Sequence, residues 1–324
     1  MHLLSSEAEA FAVEDEQARG WNCLLWLSRF HGVSGDDAQG MAALRRKCRK
    51  EIWHQTNALV RSGRYRGGGQ RVITFKVAAS GMCLHGPCSR GCSVLRGPYV
   101  INDDILSCAQ RLCERGDRIA VLNMACESSP GGGVVWGAGA QEENLYRRTD
   151  MGRDLEEARR RHYPLNDAAL VSMNVTLIRG REEDGYPYLR AGKQVTVISC
   201  AAVRHPPLCD LGRYRYAGTR EKMRMRIRNM LSAAFHANCD TLLLSAYGCG
   251  AYRNPPGEVA EIFSQELSGS GLGTVIFCIK EDHNSGMAWN PGGNLVPFKR
   301  VFPEMCCRDS WAGWHCGICG KVML

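Results

Sequence analysis

The chain has 324 residues, 44% hydrophobic and 23% charged, which is near the globular average and excludes wholesale disorder. No apolar run of about 18 residues occurs, which excludes a transmembrane helix. Three features stand out: a net charge of +8, 36 glycines and 17 cysteines. Much of the positive charge lies in two stretches, Arg45 to Arg71 and Arg213 to Arg228. Such excess points to a polyanionic partner, either nucleic acid or a phosphate-rich ligand.

Residues 1–41 are weakly patterned and read as an N-terminal extension with one short helix around Trp21–Phe30. From Ala42 to Ser62 the apolar positions Leu44, Cys48, Ile52 and Leu59 recur near helical spacing, and Gly63 is a stop signal. Residues 71–77 (RVITFKV) form a strand by their β-branched content, and 81–92 a loop. Asp103 and Asp104 cap a helix that runs to Arg115 and closes at Gly116. Strands follow at 118–124, 171–178, 195–202, 241–246 and 273–280. Helices are expected at 221–236 and at Pro255–Leu267, the latter with proline in its first turn. Helices alternate with continuous apolar strands, so the fold is α/β, a sheet covered by helices on both faces. Residues 291–324 differ in composition, being rich in Pro, Trp and Cys, and read as a separate tail.

The most informative segment is 121–151, VLNMACESSPGGGVVWGAGAQEENLYRRTDM. It runs strand, loop, three glycines, bridge, then Gln141-Glu142-Glu143 at a helix start. Gly131, Gly132 and Gly133 carry no Cβ, so backbone N–H groups can approach a ligand closely, and a following helix N-terminus suits a diphosphate. No Gly-Lys-Ser/Thr follows, so this is not a P-loop, and the glycine spacing is not the dinucleotide fingerprint. Successive helical residues point about 100° apart, so Glu142 and Glu143 cannot share one role. A second strand-to-helix turn, Tyr247-Gly248-Cys249-Gly250-Ala251-Tyr252-Arg253-Asn254, follows the strand at 241–246. Two such loops at the carboxyl edge of one sheet could clamp a diphosphate from both sides, with Tyr252 packing on a ribose or base.

The combination of PGGG, a seven-residue bridge and QEE resembles the signature of poly(ADP-ribose) glycohydrolases. GCGAYRNPP, AAVRHPP and the helix RRKCRKEIWHQTNALVRSGRY look like the microbial-type branch, and the resemblance spans roughly residues 42–285. It implies a macrodomain-like three-layer α/β/α sandwich with a mixed central sheet, occupying 42–290. It implies hydrolysis of the ribose–ribose glycosidic bond of poly(ADP-ribose), or of ADP-ribosylated macromolecules, with ADP-ribose as product. Alternatives are a mono-ADP-ribosyl-acceptor hydrolase or a reader that binds ADP-ribose without cleaving it. By the resemblance, Glu143 is the acid/base and Glu142 holds ribose hydroxyls. Gly131, Gly132 and Gly133 form the diphosphate loop, and Asn123 and Gln141 lie beside the ligand. Gly248, Cys249, Gly250, Ala251, Tyr252 and Asn254 supply the second loop. One carboxylate then both protonates the leaving oxygen and activates water. A helix N-terminus favours the ionised form, whereas an acid needs its proton; the adjacent acid and desolvation push the other way. Cys126 stands where the family often has Asn or Ser, and the loop from Gly81 to Gly97 looks expanded.

The N-terminus has no basic n-region and no apolar h-region, so the cysteines are expected as reduced thiols of an intracellular, cytoplasmic or nuclear, protein with no membrane association. Cys23, Cys48, Cys108, Cys126, Cys200, Cys239 and Cys278 read as buried small hydrophobes. The family chemistry needs no cofactor. Cys306, Cys307, Cys316 and Cys319, with His315 as a substitute, are a candidate structural zinc set, and Cys83, His85, Cys88 and Cys92 a weaker one. A monomer is expected.

Overall fold

The computed structural model describes residues 20–32, 38–65, 73–77, 96–153, 155–190, 192–281, 290 and 292–303. Asn22 opens helix α1 (Cys23–His31), its side chain accepting the Leu25 N–H at 2.9 Å. Helix α2 (Ala38–Ser62) ends at Gly63, where a φ of 70° favours glycine. The two helices pack through Trp26, Phe30, Cys48 and Ile52, with Tyr186 joining edge-on to Trp26 at 5.2 Å. Residues 23–31, expected in an extension, therefore share a core with α2.

Seven strands form one sheet: β1 (Ile73–Val77), β2 (Arg96–Ile101), β3 (Ile119–Met124), β4 (Ala169–Thr176), β5 (Gln194–Cys200), β6 (Thr241–Leu244) and β7 (Thr274–Cys278). Their order is β1-β4-β5-β3-β6-β7-β2. β4 is antiparallel to both its neighbours, and every other pairing is parallel, so the sheet is mixed as expected. β3 is central, and five consecutive residues along it are buried. Consecutive burial means that both faces are covered, because alternate side chains point to opposite faces. Helix α3 (Ile105–Cys113) packs on β3, β5 and β6, and helix α6 (Ala217–His236) on β4, β5 and β1. Helices α4 (Gln141–Arg148), α5 (Leu155–His162), α7 (Pro256–Leu267) and α8 (Leu295–Val301) complete the described elements. No described helix is long and apolar enough to cross a membrane.

Three elements depart from the sequence reading. β2 contains Gly97-Pro98, which reads as a turn; it survives as a strand because it lies at the sheet edge, where a missing N–H costs no ladder bond. α5 buries none of its residues, so it has no apolar stripe to detect. α8 falls in the expected tail, yet Phe298 is fully buried, with its ring 5.1 Å from Phe277, while Phe302 stacks on Phe277 at 5.0 Å. Thus the sheet's apolar cover continues past residue 290.

Ten cysteines are described, all free. Cys48, Cys108, Cys200 and Cys278 are buried as expected, whereas Cys23, Cys126 and Cys239 are only partly so. Among the described residues no group of His, Cys, Asp and Glu is placed to hold a metal ion. Both candidate zinc sets, at 83–92 and 306–319, lie outside the described residues.

Candidate active site

Five parallel strands end at the same edge of the sheet, and the chain leaving each of them lines one cleft of about 420 Å³. After β3 come Ala125 and Cys126; after β5, Ala202 and Arg204; after β6, Ser245, Ala246, Gly248 and Gly250 to Tyr252; after β7, Ile279 and Lys280; after β2, Asp103 and Asp104. The carboxyl edge of a parallel sheet is the general ligand position in α/β folds. The first turn of α4 closes one wall with Gln141, Glu142 and Glu143.

The three residues that open α4 face three ways. Gln141 turns to the sheet: its Oε1 accepts the Met124 N–H at 2.9 Å and its Nε2 donates to the Leu122 carbonyl at 2.7 Å. Glu142 turns to the loop after β3: one oxygen accepts the Cys126 N–H at 2.7 Å and the other the Gly131 N–H at 3.0 Å. Burial, reinforced by the neighbouring Glu143 charge, pushes its carboxyl up to about 8 against the pull of those two donors. Glu143 accepts the Gly133 N–H on Oε1 at 2.8 Å, while its Oε2 is buried with no partner among the described residues. A buried carboxylate oxygen with no donor is costly, so its position calls for a ligand group.

The glycine triplet is shaped by these carboxylates. Gly131 and Gly132 have φ of 75° and 52°. A Cβ on Gly132 would sit 2.6 Å from Glu143 Oε1 and 2.9 Å from Glu142 Oε2. The N–H groups of Gly131 and Gly133 are taken by the glutamates, and that of Gly132 donates to the Ser129 carbonyl at 3.2 Å. All three amides expected to meet a diphosphate are thus already bonded within the protein.

The second loop is built differently. Gly248 has a φ of 74°, and a Cβ there would lie 2.4 Å from Ala202 Cβ, so this glycine permits close packing. Asn254 staples the loop, donating to the carbonyls of Val203 at 2.7 Å and Gly248 at 3.0 Å, and accepting from the Tyr214 hydroxyl at 2.9 Å. The N–H groups of Gly250 and Ala251 make no hydrogen bond within the described residues, and both residues line the cleft. Tyr252 bonds to the Cys126 thiol, and Arg204 lies over its ring at 6.0 Å. Burial alone would raise the Cys126 thiol, but hydrogen bonds at Ser128, Ser129 and Tyr252 bring it below its ordinary value.

Cations frame the rest of the cleft. Arg49, from α2, forms a two-bond ion pair with Glu182 at 2.8 and 2.7 Å, and Glu182 also accepts the Tyr186 hydroxyl at 2.7 Å. Burial opposes the Glu182 charge, yet Arg49 and Tyr186 hold its carboxyl below the usual range. Arg148 donates to both oxygens of Asp104, at 2.9 and 2.8 Å, and Asp104 in turn caps α3 through Ser107 at 2.8 Å. Such a cap is worth about 1 kcal/mol. Lys280 reaches Glu183 across the mouth.

Residues 48–177 match the family model described as microbial-type PARG, catalytic domain. The chain resembles microbial-type poly(ADP-ribose) glycohydrolase. A solved glycohydrolase of this kind from Thermomonospora curvata is 25% identical, with a TM-score of 0.63 covering 79% of this chain and all of that one. The glycohydrolase from Deinococcus radiodurans, solved in complex with ADP-ribose, is 27% identical with a TM-score of 0.52, covering 64% of this chain and 86% of that one. A mutant of the Deinococcus glycohydrolase, also with ADP-ribose, is 26% identical, with a TM-score of 0.55 over 66% of this chain. No curated protein matches the chain in sequence. The macrodomain-like fold and the resemblance read from the PGGG and QEE motifs are both borne out.

Of the expected site residues of this glycohydrolase-like chain, Gly132, Gly133, Gln141, Glu142, Glu143, Gly248, Gly250, Ala251 and Tyr252 line the cleft. Gly131, Asn123, Cys249 and Asn254 do not. Asn123 is fully buried and donates to Ser199 Oγ at 3.0 Å, and Cys249 is fully buried beside the Tyr247 carbonyl. Arg49, Arg148, Glu182 and Arg204 were not foreseen in the sequence. Arg49 and Glu182 are 133 positions apart, and neither sits in a recognisable local pattern.

Proposed function

We propose that this chain hydrolyses the ribose–ribose glycosidic bond of poly(ADP-ribose) and releases ADP-ribose, with Glu143 as the acid/base. The observation that carries the role is the unpartnered, buried Oε2 of Glu143, with its other oxygen fixed by the Gly133 N–H. In the reaction, the Glu143 carboxyl gives its proton to the leaving ribose oxygen as the glycosidic C–O bond breaks. The remaining sugar carbon develops oxocarbenium character. Water then attacks that carbon and returns a proton to Glu143, so one water is consumed and the acid is regenerated. With its carboxyl pushed up to about 8 by burial, Glu142 is largely protonated at neutral pH. Glu142 keeps lone pairs beyond its two loop bonds and accepts ribose hydroxyls with them.

In this reading the diphosphate lies on the second loop, at the free N–H groups of Gly250 and Ala251, near Arg204 and Arg49. The cavity is of the size expected for a single small-ligand unit. Tyr252 and Cys126 meet the distal ribose. No cofactor takes part. The protein acts as a monomer in a reducing compartment of the cell, a reading supported by its ten described free thiols.

The test is incubation with polymer-modified and mono-modified targets, following free ADP-ribose. Release from polymer is expected. Glu143→Gln should lower turnover by a factor of about 10³ or more while ADP-ribose still binds. Near wild-type cleavage by that variant would remove Glu143 from the mechanism. Tight binding with no release from any target would make the protein a reader, and release from mono-modified targets alone would make it an acceptor hydrolase.

A further inference from the structure

The bridge between the glycine triplet and α4 carries the exposed aromatic Trp136, 71% exposed, beside Val135 at 40%. The bridge is anchored rather than loose. Its Trp136 N–H donates to the Gly133 carbonyl at 2.9 Å, and the Gly137 N–H to the Val134 carbonyl at 3.1 Å. Gly137, at a φ of 74°, lies so close to α2 that a Cβ would sit 2.1 Å from the Arg46 carbonyl oxygen. One turn along α2, the Lys50 ammonium stands 5.6 Å from the centre of the Trp136 ring. Arg46 and Lys47 are exposed on the same stretch. None of Arg46, Lys47 and Lys50 pairs with a carboxylate among the described residues. Nearby Arg49 and Glu51 are, by contrast, committed to Glu182 and Arg29.

An exposed indole on an anchored turn, with Lys50 beside it and, on the same helix, cations that pair with no carboxylate among the described residues, is the chemistry that binds a base next to phosphates. The residues on either side of the bridge, Gly133 and Gly139, line the cleft, so the platform lies on its rim next to Glu143. A cleft of about 420 Å³ is of single-ligand size, so with one unit in it the neighbouring unit of a polymer extends over its rim. Each unit carries one adenine and one diphosphate. We propose that Trp136, with Arg46, Lys47 and Lys50, binds the adenine and diphosphate of the polymer unit adjoining the one in the cleft. This rests on the glycohydrolase reading. It adds a second subsite, which favours chains of two or more units over a single ADP-ribose.

The experiment compares Trp136→Ala, Trp136→Phe and the double variant Arg46→Ala/Lys50→Ala with the wild type. Trp136→Ala should raise KM for polymer about tenfold with little change in kcat, and Trp136→Phe should restore most of the loss. The double variant should also weaken polymer binding and flatten its dependence on salt. The affinity for ADP-ribose alone, which fills only the cleft, should stay within twofold in all three. Unchanged KM for polymer in Trp136→Ala would overturn the assignment, as would an equal loss of ADP-ribose affinity. If wild-type protein and Trp136→Ala differ as much on plain single-stranded RNA as on polymer, the surface is a nucleic-acid site and the assignment falls. The same comparison made by direct polymer binding in a Glu143→Gln background does not depend on turnover. Failure of the hydrolase reading is therefore seen separately, as absence of ADP-ribose release by the wild type.

Discussion

The two glycine loops at the carboxyl edge of the sheet look alike in composition and do opposite work. In the first, every amide from Gly131 to Gly133 is bonded within the protein, two of them to the glutamates of α4. In the second, the amides of Gly250 and Ala251 make no hydrogen bond within the described residues and lie beside the cleft. Glycine in the first loop makes room for carboxylates; in the second, Gly248 makes room for Ala202 and Gly250 faces open space. Local glycine content therefore does not say which loop holds a phosphate; where the N–H groups go decides it.

Alanine placed in each loop gives the sharpest contrast. Gly132→Ala puts a methyl 2.6 Å from Glu143 Oε1 at a φ of 52°, so the carboxylates must move. A displacement of this kind should lower kcat about 100-fold in a polymer assay. Gly250→Ala meets nothing within 4 Å. It should leave urea unfolding within about 0.5 kcal/mol of wild type and weaken only ADP-ribose affinity. Equal effects of the two variants on kcat would erase the distinction.

A second way to probe the first loop is pH. Glu142 is raised by burial to about 8 from an ordinary 4.5, so the unfolded chain ionises it first. Its contribution to stability is fully present below about 4.5 and is lost as the pH rises through about 8. Glu142→Gln removes this dependence. Measured by urea unfolding, its stability relative to wild type should improve from pH 5 to pH 8 by an amount on the order of a few kcal/mol. A constant offset across that range would mean that Glu142 is ionised throughout.

The smallest expected effect lies where the loops touch. Cys126 follows β3, Tyr252 belongs to the second loop, and their side chains share a hydrogen bond that helps lower the thiol. Iodoacetamide should label Cys126 ahead of the buried thiols and inactivate the protein, with ADP-ribose protecting it. Tyr252→Phe should slow labelling a few-fold at neutral pH; an unchanged rate would show that the loops are not coupled there.

Much of this was legible in the sequence because its signals are local. The apolar runs at 118–124, 195–202 and 273–280 mark strands found at 119–124, 194–200 and 274–278, Gly63 and Gly116 mark helix ends, and the QEE triplet marks the helix on the cleft wall. What was not legible depends on distant partners. β2 is permitted by its edge position, which no local residue reports. Arg49 enters the site only because α2 crosses behind the bridge, and Glu182 meets it from a short helical turn far along the chain. Phe298 was assigned to a tail because composition changes there, although its ring completes the cluster around Phe277. Asn123 and Asn254 are expected at the ligand; in the fold Asn123 donates to Ser199 and keeps a buried Oδ1 with no partner among the described residues, while Asn254 bonds Val203, Gly248 and Tyr214.

Gln141 has a consequence for how the motif is spelled. Its amide bonds the carbonyl of Leu122 and the N–H of Met124, the two groups that flank Asn123 on a strand. A residue on a parallel neighbouring strand bonds its partner in the same way. The side chain thus serves as one rung of a ladder, and α4 begins at a distance fixed by β3. The task needs a donor and an acceptor on one planar group, which an ionised glutamate cannot offer and a glutamine can. Within three consecutive letters the chain passes from a rung of the sheet, to a clasp on the loop after β3, to a buried oxygen with no partner among the described residues.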